Sequence, residues 1–206
     1  MAELQEVLPE FAGFAVRYDP SKNPFFKAIF IENMRLVKSV TVGGTLLDLI
    51  RDAKPKYRDD FPAGINVIAV PQAIKYIESG HAPMFSSIVA IPGADRYVAP
   101  RGCNHYVVGS SANAAVLPDE SFNGKGGSVC KMLFNNAQFI TSKGESVRPY
   151  LVLAHELIHS YHCLYGLKKD DDEELWTSGI GVYDDEPMSE NVFRDQYKIA
   201  RRTEYY

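Results

Sequence analysis

Residues 149–166 read PYLVLAHELIHSYHCLYG. Proline at 149 suits the first turn of a helix, where its missing N–H costs nothing, and glycine at 166 suits the left-handed position just past a helix end. The spacing therefore predicts a helix over 149–165, led into the interior by the apolar run Leu151–Ala154. Inside it stand His155, Glu156 and His159, an H-E-x-x-H pattern. Residues four apart differ by about 40° around a helix axis, so both imidazoles leave one face, while Glu156 lies about 100° from His155. Two neutral imidazoles on one face make a zinc-binding pair, and the neighbouring glutamate can take a proton from water that zinc has acidified. With five histidines in 206 residues, chance would produce the pattern in on the order of one per cent of chains. Its position inside a predicted helix raises it well above that background.

His162 falls on the same face, three residues further on. Three side chains along a straight helix are spread over about 10 Å, too far to converge on one tetrahedral ion. His162 is therefore expected behind the ligands, facing substrate, or as a plain half-exposed helix histidine, and a third ligand must come from another element. Asp184, Asp185, Glu186 and Glu190 are the downstream candidates. Glu190 is favoured because it opens a further helix with Ser189 as N-cap, whereas 184–186 reads as a solvated turn. The expected metal set is thus His155, His159 and Glu190, although a carboxylate at 190 also suits the helix terminus by itself. Arg194, Tyr197, Arg202 and Tyr205, in two R-x-x-Y pairs, are the candidates for stabilising a developing oxyanion.

Working outward, 46% hydrophobic and 12% aromatic residues are enough for a substantial core, and one domain over 1–206 is expected, with 1–20 a candidate flexible leader. The net charge of −4 offers no basic field for a phosphate backbone, so nucleic acid is not an expected partner. No run of about 18 apolar residues occurs, which leaves no expected membrane span. Three cysteines, Cys103, Cys130 and Cys163, lack paired spacing and fit a reducing compartment.

Residues 25–42 read as two short strands about Glu32–Asn33, a hairpin ending at Gly43–Gly44, with a short helix from Thr45 as N-cap up to Pro55. Runs at 65–70, 86–91, 105–110 and 129–140 read as strands, 72–79 as a short helix, 110–127 as loop, and the acidic run 170–174 as an exposed loop. The implied class is α+β: a small mixed or antiparallel sheet packed against the H-E-x-x-H helix and a C-terminal ligand helix, a compact zincin-like fold.

HELIHSYH at 155–162 together with PMSENVFRDQYKIARRTEYY at 187–206 resembles the NleD-like family of metallopeptidase effectors, which bacterial pathogens inject into host cells by type III secretion. Glu190, Asn191 and Arg194 of E-N-x-x-R, with Arg202, Thr203 and Tyr205 of R-T-x-Y, carry the specific part of the likeness. The likeness covers the last third of the chain. It implies a zinc endopeptidase acting in the host cytoplasm on signalling proteins such as MAP kinases, working as a monomer, with His155 and His159 as metal ligands, Glu156 as base and Glu190 as the acidic motif residue. That family is similar in its HELIH to clostridial neurotoxin light chains, whose arginine and tyrosine near the scissile carbonyl make Arg202 and Tyr205 the expected catalytic pair. Other readings are a zincin peptidase of another lineage and a non-catalytic binding protein.

Overall fold

The computed structural model describes residues 4–21, 24–56, 65–69, 89–90, 97–98, 103–106, 124–127, 129–134, 139–140, 146–169 and 172–204. Among these, β1 (Leu4–Val7), β2 (Phe14–Tyr18), β3 (Ile65–Ala69), β6 (Cys103–Tyr106) and β7 (Cys130–Phe134) form one sheet in the order β1-β2-β3-β7-β6. The inner pairs β2–β3 and β3–β7 are parallel, and the outer pairs β1–β2 and β6–β7 are antiparallel, so the sheet is mixed. Two short pairs, β4 (Val89–Ala90) with β5 (Tyr97–Val98) and β8 (Phe139–Ile140) with β9 (Ser146–Val147), stand apart from it. Phe14, Ala15 and Val16 are all fully buried, as expected of an inner strand covered on both faces. The stretch read as a leader thus supplies β1 and β2, and Leu8, Phe11 and Phe14 belong to the core.

The connection from β2 to β3 carries α1 (Phe26–Lys38) and α2 (Thr41–Asp52), where the sequence reading placed a hairpin. Phe26, Phe30, Met34 and Val37 are buried at helical spacing, and that period, not the β-branched content, decides the element. Phe30 meets the Phe134 ring edge-on at 5.3 Å. The second helix begins at Thr41, so Thr45 is no cap: its hydroxyl donates back to the Thr41 carbonyl. Gly43 is not a breaker either. A Cβ there would stand 1.8 Å from the Val37 carbonyl oxygen, and the glycine allows α1 and α2 to meet at a tight corner.

The predicted helix over 149–165 is α3 (Pro149–Tyr165), with Pro149 in its first turn and Gly166 closing it at φ 69°. The Leu167 amide caps the His162 carbonyl. Leu151, Leu153, Ala154, Leu157, Ile158 and Leu164 are buried along it, and α1, α2, β6, β7, α4 and α5 pack around it. Within the acidic run, Glu173 and Glu174 are not in an exposed loop: they open α4 (Glu173–Ser178), in which Glu173 is buried. A 3-10 turn at Gly181–Tyr183 then leads to α5 (Glu190–Gln196). Ser189 precedes α5 as predicted, but its hydroxyl donates to the Glu186 carbonyl and not to the helix start. Among the described residues no helix is long and apolar enough to cross a membrane. The expected helix at 72–79 and most of the loop at 110–127 lie outside the described residues.

Candidate metal centre

His155 and His159 stand one turn apart on α3 with their rings nearly perpendicular and 4.7 Å between centroids. Their Nε2 atoms face each other at 3.1 Å. The Oε2 atom of Glu174, from the first turn of α4, lies 3.2 Å from the first and 3.3 Å from the second. Both imidazoles are buried, while the Glu174 side chain is 43% exposed, so the meeting point opens to solvent on the α4 side.

A separate carboxylate holds the far nitrogen of each ring. Nδ1 of His155 lies 2.9 Å from Glu190 Oε2, and Nδ1 of His159 lies 2.8 Å from Glu173 Oε1. An ionised carboxylate can only accept, so each Nδ1 carries a proton, and it is the neutral form of each ring that presents a lone pair at Nε2. In that neutral form two lone pairs and a carboxylate oxygen converge, and a cation, whether a proton on Nε2 or a metal ion, is what can join them. Burial opposes charge on His155, but hydrogen bonds to Glu174 and Glu190 outweigh it and push its pKa up to about 10. His159 is raised likewise, with the carboxylates overcoming burial, and the same partners hold Glu173, Glu174 and Glu190 well below the usual carboxylate range against burial. Three carboxylates around two imidazoles create a field that favours a cation.

This donor set fits zinc. Ligand atoms about 2.0–2.2 Å from a tetrahedral zinc stand roughly 3.3–3.6 Å apart, close to the 3.1, 3.2 and 3.3 Å found among His155, His159 and Glu174. Carboxylates on the far ring nitrogens are the arrangement that orients zinc-binding imidazoles. His159, His162 and Glu173 also cluster, but there Glu173 Oε1 receives both Nδ1 protons at 2.8 Å, and hydrogen bonds already satisfy the group. His162 thus lies behind the ligands, as expected, stacked on Trp176 at 3.8 Å and 4° between ring planes. Burial lowers its pKa.

Glu156 is buried, and burial pushes its pKa up to about 7 against the charges of His159 and His155. Among the described residues its carboxylate has no hydrogen-bond partner. Glu190 comes to the site, but on the Nδ1 edge of His155 and away from the point where the two Nε2 atoms meet. Both its oxygens are engaged by arginine: Arg194 Nε donates to Oε1 at 2.6 Å and Arg202 Nη1 to Oε2 at 2.9 Å. Arg202 is thereby brought to the edge of the centre, whereas Tyr197 packs on Tyr150 and donates to the Leu36 carbonyl, away from it. Tyr205 lies outside the described residues. Glu173 and Glu174 were missed because five consecutive acids suggest solvent. The signal was present in EELWTS followed by glycine at 179, an acidic first turn with apolar residues behind it and a glycine stop.

No family model and no curated protein sequence matches this chain, so the effector-family likeness rests on the motifs quoted above. Solved structures do match. The catalytic domain of Clostridium botulinum neurotoxin serotype F aligns over 99% of this chain and 84% of that one, with TM-score 0.55 at 13% identity. An LHn fragment of botulinum neurotoxin type D aligns over 94% of this chain, with TM-score 0.53 at 13% identity. The fold is shared with these neurotoxin domains. The chain spans only 40% of the type D fragment and 47% of a serotype F light chain it also matches.

Proposed function

We propose that this protein is a zinc-dependent endopeptidase with His155, His159 and Glu174 as the metal ligands. The observation that carries this reading is the convergence of His155 Nε2, His159 Nε2 and Glu174 Oε2 within 3.1–3.3 Å of one another. The neurotoxin-like fold supports it. When bound, zinc supplies Lewis acidity and lowers the pKa of water towards neutrality. The rest is work for the chain's own residues. Glu156, with its pKa pushed up to about 7, takes a proton from the attacking water on its carboxylate and passes it to the leaving amine. Glu190 and Glu173 keep each ligand ring in the tautomer that presents Nε2, and Arg202, joined by Tyr205, stabilises charge on the scissile carbonyl oxygen. The motif likeness of 155–162 and 187–206 supports a setting in which a monomer, delivered by type III secretion, cuts host signalling proteins such as MAP kinases in the host cytoplasm.

The test compares wild type with Glu156→Gln. Elemental analysis should find about one zinc per chain in both. New protein termini mapped by mass spectrometry in host-cell lysate should appear with wild type and fall about 10²–10⁴-fold in rate with the variant. Equal termini from both proteins would overturn the role of Glu156. A wild-type chain without zinc after metal-replete purification would overturn the metal site.

A further inference from the structure

The side chain of Asn191, next to Glu190 and 1% exposed, takes no part in the chemistry above, yet its amide is almost fully used. Oδ1 accepts the Arg202 amide proton at 2.7 Å. Nδ2 donates to the Arg202 carbonyl at 2.8 Å and to the Gly179 carbonyl at 2.8 Å. The side chain therefore pairs with the backbone of residue 202 as a neighbouring strand would, and ties it to the end of α4, the helix that carries Glu174. Two further contacts hold the same stretch: Arg194 Nη1 donates to the Ala200 carbonyl at 3.1 Å, and the Ile199 amide donates to the Arg194 carbonyl at 2.8 Å.

Beyond α5 the chain has no regular secondary structure up to residue 204. It reverses at Lys198, whose φ of 56° is the only positive value at a non-glycine among the described residues. A segment of this kind has no ladder or helix to place its side chains, so its geometry depends on side-chain contacts. The Arg202 guanidinium reaches Glu190 only if its backbone is fixed, since the arginine side chain is long and rich in rotamers. We infer that Asn191 is the positioning residue for Arg202, setting the guanidinium against Glu190 and the metal centre by gripping the backbone of residue 202. The inference rests on the endopeptidase reading for its catalytic consequence but not for its structural one.

The experiment uses the full-length, zinc-loaded chain with variants Asn191→Ala, Asn191→Asp, Arg202→Ala and the double Asn191→Ala/Arg202→Ala. Asn191→Asp keeps the acceptor for the Arg202 amide and removes both donors, so it reports on folding separately from the grip. Hydrogen exchange at the Arg202 amide should accelerate at least about tenfold in Asn191→Ala while α3 amides stay protected and zinc remains at about one per chain. With a purified MAP kinase as cleavage probe, kcat should fall by about 10–100-fold in Asn191→Ala, with little change in KM. The double variant should be no slower than Arg202→Ala, because a positioning residue has nothing left to position. Unchanged exchange at residue 202, or losses from Asn191→Ala and Arg202→Ala that multiply, would overturn the inference. Failure of wild type to cut any protein would count against the endopeptidase reading alone, because the exchange measurement tests the grip without turnover.

Discussion

His155 and His159 sit one turn apart on α3, and each donates a hydrogen bond from Nδ1 to a carboxylate, but the two carboxylates are supported differently. Glu190, behind His155, is held between two guanidiniums, Arg194 and Arg202. Glu173, behind His159, is held by the His162 ring and by the Lys169 amide. His162 in turn stacks on Trp176, over whose ring the Lys169 ammonium lies at 4.2 Å. One brace is ionic and reaches outward to Arg202, on the segment beyond α5. The other is hydrogen-bonded and aromatic and ends within the protein. Carboxylates with the same task at the metal should thus have different side effects when lost.

The largest effect sets the scale for both. Removing ligands, in His155→Ala/His159→Ala, should bring zinc below detection, and Glu174→Gln should weaken zinc beyond the roughly 10–100-fold expected for the partners behind the ligands. Competition against a chromophoric chelator measures this. If Glu190→Gln lost more zinc than Glu174→Gln, the ligand assignment would be reversed in favour of Glu190.

The middle effect separates the braces. Glu190→Gln and Glu173→Gln should each weaken zinc by roughly 10–100-fold, but only Glu190→Gln takes the carboxylate away from two guanidiniums, those of the buried Arg194 and the half-buried Arg202. It should therefore cost about 3–5 kcal/mol in denaturant unfolding, against about 1–3 kcal/mol for Glu173→Gln. It should also depress kcat in zinc-saturated enzyme, because Arg202 loses the carboxylate that orients its guanidinium. Equal unfolding costs would erase the distinction between an ionic and a hydrogen-bonded brace.

The smallest effect lies at the end of the aromatic brace. Trp176→Leu removes the stacking surface for His162 and the acceptor of the Lys169 charge, worth about 0.5–1.5 kcal/mol. Zinc affinity should fall only a few-fold, since Glu173 keeps its bond to His159. A loss as large as that of Glu173→Gln would show that the ring stack, and not the carboxylate, holds the imidazole.

Legibility followed the range of the forces. The helix over 149–165 was readable to its end residues because proline, glycine and the apolar spacing act within a few turns. The i, i+4 geometry of His155 and His159 is a property of the helix alone. The N-terminal half was less transparent. Phe26, Phe30, Met34 and Val37 had a helical period, but Ile29, Ile31 and the Gly43–Gly44 pair resembled strand and breaker, and only packing shows Gly43 as a close approach. Of residues 4–18, β2 is placed by pairing with β3, which lies 47 residues on from its end, and β1 by pairing with β2.

By itself, then, the sequence determined the helix over 149–165, the pair of imidazoles on one face of it, the glutamate beside them and a helix opening at Glu190. Tertiary structure decided which carboxylate meets which nitrogen. An imidazole has two nitrogens on opposite edges, and whether a distant acid faces Nδ1 or Nε2 depends on where its helix docks. The docking of α4 brings Glu174 to the paired Nε2 atoms and Glu173 to Nδ1 of His159, while α5 brings Glu190 to Nδ1 of His155. That difference of a few ångströms separates the proposed ligand from the proposed brace, and no spacing along the chain encodes it.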